Sequence, residues 1–500
     1  MHQLKSSGSR RSTKPTHIGA FLAGVVLATA VGAWAGPSPR SRATDKRFQK
    51  LDVFARVLSY VENNYVEQID ERKLIYGAAK GMVHTLDPHS AFMTPDEFAD
   101  LQADTEGEFG GVGLQIDDAD GGVPVIVEVL TDTPAARAGL IPGDRIVKID
   151  GAATAGQDGG ESTARLRGKP GVPVIVEIER KNAAGSYEAP RPITITREII
   201  RVTAVDTMAL APGIAYVRIK QFQERTDQEV VAALEAHKKK YGKIDGLVLD
   251  LRGNPGGLLD QAVRVADLFI SSGVIVTTRG RGGKKLEEET AHDGGTWSGF
   301  PIVCLINGQS ASASEIVAGA LQDHGRALLL GTRSYGKGSV QSVIPLEDGS
   351  GLKLTIARYY TPKGRSIQER GIDPDVEVEQ LDPERVAKAK VDEEVEREED
   401  LEGHLRNEQG QGAARAQRAG RTGKKAASGR PTAEATPSPS SPAGPADKDD
   451  AAAMAATAQA PSAKAVPAPT STTNPVTALA RDNQLKVAFQ TLDSHRKLKP

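Results

Sequence analysis

Apolar residues recur at three- and four-residue spacing between about residues 45 and 104, in the stripe Leu51, Phe54, Val57, Leu58 and Val61 and again at Leu74, Ala78 and Met82. That period predicts amphipathic helices. The stretch closes with the turn Leu86-Asp87-Pro88-His89-Ser90. From about 107 to 200 the pattern shortens to β-rich runs, Val123–Val129, Arg145–Ile149, Val174–Glu179 and Ile193–Ile195, punctuated by Gly, Pro and Asp. Between about 208 and 380 strand and helix patterns alternate. Strands are expected over Gly213–Lys220, Ile244–Leu251, Val274–Thr278 and Ile302–Ile306. Helices are expected from a Thr226 cap through His237 and over Leu258–Ile270. This rhythm predicts an α/β core. Residues 383–405 are charge-dense and expected to be helical. The tract 406–475 is rich in Ala, Pro, Ser, Thr and Gly and lacks Phe, Tyr and Trp. Such a composition cannot bury enough apolar area to offset its ordering entropy, so disorder is expected there. A helical pattern returns within 476–500, at Leu485, Ala488, Phe489 and Leu492.

The N-terminal end has a different logic. Lys5, Arg10, Arg11 and Lys14 precede an uncharged apolar run from Ile18 to Ala35. A basic region followed by an apolar one is the pattern of an export signal, here over residues 1–36, and Ala33-Trp34-Ala35 fits a small-x-small cleavage site. A run of about 18 apolar residues is also long enough to stay in the bilayer as an anchor. The expectation is a bacterial periplasmic or envelope protein, either cleaved and soluble or held at the inner membrane.

Composition narrows the field. The 500 residues exceed one ordinary domain. Lys and Arg total 63 against 65 Asp and Glu, a net charge of −2, so there is no basic excess to draw in nucleic acid. The single cysteine, Cys304, excludes an intramolecular disulfide, a multi-cysteine zinc site and an iron–sulfur cluster. Neither metal nor cofactor is expected.

Within the β-rich segment, Gly110-Gly111-Val112-Gly113-Leu114 is followed by Pro134-Ala135-Ala136-Arg137-Ala138-Gly139-Leu140, then Gly143-Asp144-Arg145-Ile146 and Ile149-Asp150-Gly151. The series resembles the PDZ domains of bacterial proteases. A Gly-rich turn before a strand exposes consecutive N–H groups that can hold a C-terminal carboxylate, and the strand edge can accept the peptide by β-augmentation. Gly111, Val112 and Gly113 are the expected carboxylate loop, with Leu114 and Ile116 shaping an apolar pocket.

The α/β segment carries three clusters. Asp250-Leu251-Arg252-Gly253-Asn254-Pro255-Gly256-Gly257 lies between a strand and a helix, where N–H groups can face a phosphate or an oxyanion. Neither phosphate-loop spacing is present. Asn307-Gly308-Gln309-Ser310-Ala311-Ser312-Ala313-Ser314-Glu315 also joins a strand to a helix, a turn that can expose a hydroxyl. Tyr335-Gly336-Lys337-Gly338-Ser339-Val340-Gln341 sets a lysine between glycines. A serine nucleophile needs a base. His292 sits in a Gly-rich loop and His324 at a helix end, neither with a persuasive acid partner, and His84 and His89 belong to the helical segment, where a surface or turn role is the default. Lysine can replace histidine if burial lowers its pKa from about 10.4 to about 7–8. By its neighbours alone, however, Lys337 reads as a solvated loop lysine.

Ser310-Ala311-Ser312-Ala313-Ser314-Glu315-Ile316 followed by Gly336-Lys337-Gly338-x-x-Gln341 resembles the signature of the C-terminal processing, or tail-specific, peptidases. The resemblance extends to Leu86–Ser90, the PDZ series, Leu251–Gly257 and Arg358–Gln368, over roughly residues 50–380 in the family's order. It implies a crotonase-like (caseinolytic-protease-like) α/β core with an inserted PDZ domain and an N-terminal helical segment. It implies a Ser–Lys dyad, with Ser312 as nucleophile, Lys337 as general base and Gln341 orienting the lysine. The N–H of Ala313 and one from Gly256-Gly257 would form the oxyanion hole. The implied partners are protein substrates with hydrophobic C-terminal tails, an adaptor lipoprotein in some members, and a second copy through terminal helices in others. Here the 406–475 tract interrupts the C-terminal part. A non-catalytic PDZ scaffold and a crotonase-like acyl-transfer or ligand-binding protein are the other readings. The first would not need the dyad; the second would not need a tail-capturing PDZ.

Overall fold

The computed structural model describes residues 39–118, 122–156, 159–380, 396–407, 409 and 474–498. The Ile18–Ala35 run and most of the 406–475 tract lie outside the described residues. Among the described residues no helix is long and apolar enough to cross a membrane. The chain forms two compact units, one up to Ala79 and one from Lys80 onward. The first holds the helix Pro39–Asn64 and the start of the helix Glu71–His84, and the stripe residues Leu51, Phe54 and Val57 are exposed.

After the end of that helix the second unit carries a strand that the helical pattern concealed, Ala91–Met93, antiparallel to Gly351–Tyr360. The helix Pro95–Glu106 follows, capped reciprocally by Thr94 and Glu97. An antiparallel ribbon, Glu108–Gly111 on Glu198–Arg201, then brackets the β-rich module. Its sheet runs in the spatial order Leu114–Asp118, Pro124–Val129, Arg145–Ile149, Pro173–Glu179, Arg191–Thr196. Val174, Val176 and Ile178 point into a core with Ile126, Ile146 and Ile149, while Ile175 faces out. That alternation is what a half-solvated antiparallel sheet requires.

The α/β core is a six-stranded sheet in the order Val205–Ala211, Ile214–Ile219, Gly246–Asp250, Ile302–Ile306, Ala327–Gly331, Val376–Glu377. All neighbours are parallel except the first pair. Both faces are covered, so Gly246–Asp250 and Ile302–Ile306 are buried throughout. On one face Ala215, Val217, Leu247, Leu249, Ile302 and Cys304 pack with residues of the helices Thr226–Tyr241, Leu259–Asp267 and Ala313–Asp323. On the other, Ile214, Tyr216, Val248, Val303, Leu305 and Leu330 meet Ala478, Leu485, Ala488 and Leu492 of the C-terminal helices Pro475–Arg481 and Asn483–Leu498. A second sheet joins Ala91–Met93, Gly351–Tyr360, Val274–Arg279 and Lys285–Thr290, with Ser339–Pro345 paired to Gly351–Tyr360.

Two local expectations change. The N-cap before the helix Thr226–Tyr241 is Arg225 at φ 71°, not Thr226. The Thr226 hydroxyl instead closes the preceding turn, donating to Gln223 O at 2.8 Å and accepting from Gln223 N at 3.0 Å. Of the charged 383–405 stretch, the described residues from 396 carry only a 3-10 turn, Glu398–Asp400. Side-chain bonds to the core, rather than helix periodicity, hold them.

Candidate active site

Two strand-to-helix turns meet at the carboxyl ends of Gly246–Asp250 and Ile302–Ile306, the usual place for chemistry in a parallel sheet. They are stitched together. Ala311 N and the Ser314 hydroxyl both donate to Asn254 O, each at 3.0 Å. The Ser310 hydroxyl donates to Leu251 O at 2.8 Å. Ser312 differs from its neighbours: its hydroxyl is tied to neither carbonyl and makes no side-chain cap bond, and its backbone sits at φ 54°, ψ −111°. A non-glycine residue in that region is strained, and strain of this kind persists where the surroundings over-determine it. Ser312 N donates to Glu315 Oε2 at 2.8 Å, and Glu315 N to Ser312 O at 2.9 Å.

Glycine is required where the first turn passes the serine. A Cβ on Gly256 would lie 2.9 Å from Ser312 Cβ, and one on Gly257 only 2.1 Å from Phe222 O. Of the expected oxyanion donors, Gly256 N already donates to Asn254 Oδ1 at 2.8 Å. The donor available from this turn is therefore Gly257 N–H. Among the described residues neither it nor Ala313 N–H, in the first turn of the helix Ala313–Asp323, has a protein acceptor.

Glu315 joins the serine turn to the lysine loop. Its buried carboxylate accepts from Ser312 N, Lys337 N at 3.0 Å, Gly336 N at 2.7 Å and the Ser334 hydroxyl at 2.6 Å. Burial pushes its pKa up to about 7 against those donors. Lys337 is half-buried, and burial, helped by the positive charge of Lys353, brings its ammonium down to about 8, with Glu398, Glu315 and Asp87 opposing. Ser312 Oγ and Lys337 Nζ are not hydrogen-bonded to each other in this structure. Gln341 Nε2 donates to the Ser339 hydroxyl at 2.9 Å and the Thr355 hydroxyl at 3.3 Å. This fixes the amide and leaves Oε1 as the atom able to accept from an amine.

Several residues at this site were given no role by the sequence reading. Thr355 Oγ1 donates to Asp87 Oδ1 at 3.1 Å, and the Ser90 hydroxyl to Asp87 Oδ2 at 2.7 Å. Burial raises the Asp87 carboxyl, but these donors with the N–H groups of His89 and Ser90 hold it below the ordinary range. His89 Nε2 lies 2.7 Å from the fully buried Glu398, whose other oxygen accepts from Gln368 Nε2 at 2.9 Å. Gln368 Oε1 in turn accepts from Gly338 N at 3.0 Å. Of the other histidines weighed from sequence, His292 bonds with Asp267 and His324 with Val274 O. Glu315 carried a local signal, the Ser-x-x-Glu spacing of a capping box, and Asp87, His89, Ser90 and Gln368 lie in stretches that carried the resemblance. Their partners, Thr355 for Asp87 and Glu398 for His89, are brought in from distant chain. Among the described residues no cluster of His, Cys, Asp and Glu could hold a metal.

In the β-rich module the strand Leu114–Asp118 is a sheet edge, and the helix Gly159–Leu166 lies beside it. Between them is a groove of about 270 Å³ lined by Gly111, Val112, Gly113, Leu114 and Ile116 from one side and Leu166 from the other. Among the described residues the N–H groups of Val112 and Gly113 have no acceptor. Gly113, at φ 85°, is backed by Thr133, 2.3 Å from where its Cβ would be, so its missing side chain lets the loop close rather than opening the groove.

Family models match three stretches of the chain: "Peptidase family S41" over residues 213–378, "PDZ domain" over 125–180, and "Activating protease CtpB N-terminal domain" over 30–97. The chain is 42% identical over 391 residues to a carboxy-terminal-processing protease of Bartonella bacilliformis, covering 78% of this chain and 88% of that protein. It is 38% identical over 327 residues to a carboxyl-terminal-processing protease of Synechocystis sp., covering 64% and 75%. Among solved structures, a photosystem II D1 C-terminal processing protease matches at 34% identity with a TM-score of 0.39, covering 65% of this chain and 86% of that one.

Proposed function

Because the chain belongs to peptidase family S41, as a serine endopeptidase of the carboxy-terminal processing kind, we propose that Ser312 is its nucleophile and Lys337 its general base. One observation carries the choice of serine: Ser310 and Ser314 have hydroxyls bound to carbonyls across the turn, and Ser312 alone of the three is held at a strained position with its hydroxyl uncommitted. Neutral Lys337 takes the Ser312 proton as Oγ attacks the scissile carbonyl. Gln341 Oε1 orients the amine. The oxyanion is met by the N–H groups of Ala313 and Gly257, the first strengthened by its place at a helix N-terminus. The lysine then protonates the leaving amine, and water hydrolyses the acyl-enzyme by the reverse path. Before the proton can move, lysine and serine must approach one another, a tightening common between free and substrate-bound sites.

The groove beside Leu114–Asp118 supplies the substrate preference. Val112 and Gly113 N–H bind a free α-carboxylate, the tail adds to the open strand edge, and Leu114 and Ile116 accept an apolar last residue. The substrates are thus proteins with hydrophobic C-terminal tails. The Lys5–Ala35 pattern supports action in the bacterial envelope, where an adaptor lipoprotein and a second copy of the chain are candidate partners.

An unstructured protein with an apolar free C-terminus tests the reading. It should be cut, and quenching during turnover should leave an acyl adduct on the peptide containing Ser312, located to that residue by fragmentation mass spectrometry. An adduct on Ser310 or Ser314, or turnover by Ser312→Ala, would overturn it.

A further inference from the structure

The oxyanion turn is fastened from the far end of the chain. Arg252, buried at 5% exposure, donates from Nε and Nη2 to Asp250 at 2.9 and 2.5 Å. The same guanidinium donates to Asp482 at 2.9 and 2.7 Å and to Gln484 Oε1 at 2.9 Å. Tyr216 completes the group, its hydroxyl donating to Asp250 Oδ2 at 2.9 Å. Burial opposes the charge on Arg252, and Asp250 and Asp482 more than restore it. Both Asp482 and Gln484 are buried, and Gln484 Nε2 is anchored to Val378 O at 2.7 Å. Planar, bidentate pairing of this kind fixes direction as well as charge.

We propose that Asp482 and Gln484 are positioning residues for catalysis: they hold Arg252, and through it the Leu251–Gly257 turn that lies against Ser312 and supplies the Gly257 N–H. The segment 474–498 is then a working part of the site as well as the cover of one sheet face. The inference rests on the reading of Gly257 N–H as an oxyanion donor. The geometry allows stability and positioning to be separated. Asp482 Oδ1 also accepts from Leu485 N at 3.0 Å, capping the last helix. Asparagine keeps that cap. It turns an NH₂ toward Arg252 where a carboxylate oxygen had been.

The test compares the full chain with its Asp482→Asn and Gln484→Leu variants. It measures kcat and KM on an unstructured protein, together with affinity for a peptide aldehyde and the matching alcohol. The aldehyde forms a tetrahedral adduct with Ser312 and needs the oxyanion donors; the alcohol does not. In Asp482→Asn, kcat and aldehyde affinity should fall together by about 10- to 100-fold, the range of losing part of one donor, while KM and alcohol affinity stay within about twofold. Gln484→Leu should lose less, about threefold, in the same two quantities, and it carries the test should Asp482→Asn fail to fold. Unchanged kcat and aldehyde affinity in the folded variants would overturn the positioning role. A wild-type chain that binds aldehyde no better than alcohol would instead overturn the oxyanion reading beneath it.

Discussion

The groove beside Leu114–Asp118 draws one wall, with the N–H groups of Val112 and Gly113, from the six consecutive residues Gly111 to Ile116, and Leu166 lies on the other. The catalytic cleft is assembled from afar. His89 meets Glu398 across 309 positions, Arg252 meets Asp482 across 230, and Thr355 meets Asp87 across 268. The two also differ in what they use. The groove offers backbone N–H groups and an apolar surface, which no single side chain provides. The cleft relies on buried charges whose desolvation has to be offset by named partners, as Glu315 is by its four donors. A reader of chain ends must tolerate many tails, and backbone donors recognise a carboxylate whatever precedes it. A proton-transfer site has one task, and its pKa values must be placed. The cleft should therefore be vulnerable to single substitutions, and the groove to a change in the substrate.

The largest effect should come from the dyad. Ser312→Ala and Lys337→Ala are each expected to lower kcat/KM by about 10⁴-fold or more, and the double variant should be no worse because the pair acts as a unit. Lys337→Arg keeps the charge but has no accessible neutral form, and should be as inactive. Steady-state cleavage of an unstructured protein checks all of these; appreciable turnover by Lys337→Arg would remove lysine as the base.

Next in size is the contrast between substrates. Amidating the C-terminus of a protein substrate removes the charge that Val112 and Gly113 N–H would bind, and should lower kcat/KM about tenfold, the scale of one charge-assisted contact. A short peptide that reaches Ser312 unaided should show no difference. Ile116→Asp, which places a carboxylate where an apolar side chain should sit, is expected to discriminate in the same way. Equal cleavage of amidated and free-acid proteins would make the module a spacer rather than a reader.

The same division decided what could be read from sequence. The strand Arg145–Ile149 and the turn around Gly111–Leu114 obey local rules, period two and glycine where the backbone must approach, so they were legible. That the serine turn, the lysine loop and the Gly256-Gly257 turn lie together was legible through their motif, although which glycine N–H is left without an acceptor depends on the Asn254 side chain. The strand Ala91–Met93 was hidden because its identity comes from pairing with Gly351–Tyr360, not from its own short pattern. Glu398 was hidden for the same reason, as was the pairing of Asp482 with Arg252. A charged residue in a charge-dense or terminal stretch reads as solvated until tertiary structure gives it a buried partner.

A smaller effect should appear in the pH dependence. Only neutral Lys337 can accept the serine proton, so activity should climb with rising pH through the value near about 8 to which burial brings it. Lys353 contributes to that lowering by like-charge repulsion. Lys353→Met should let the Lys337 pKa rise, move the climbing limb of kcat/KM to higher pH, and cost a few-fold in rate at pH 7 with little change at high pH. Because Glu315 titrates near 7 in contact with the same loop, the limb reports the coupled set rather than one group. A limb that shifts the opposite way, or not at all, would show that the neighbouring ammonium does not set the base.

The smallest effect on chemistry should come from the flanking serines, which sharpens the distinction between holding a site and acting in it. Ser310 and Ser314 donate to Leu251 O and Asn254 O, and both are buried, at 1% and 0% exposure. Alanine at either position leaves a buried carbonyl with one bond fewer, and at 310 it also removes the acceptor of Asn307 N at 3.0 Å, a loss of about 1–3 kcal/mol in folding stability. Each of those carbonyls keeps a second donor, Asn254 N to Leu251 O and Ala311 N to Asn254 O. The turn should thus hold its shape, and activity below the melting transition should stay within a few-fold of the parent for both single variants. Thermal unfolding and turnover measured on the same samples check this. A Ser310→Ala variant that melts normally but has lost turnover would transfer the nucleophile's role to Ser310 and undo the choice made on the uncommitted Ser312 hydroxyl.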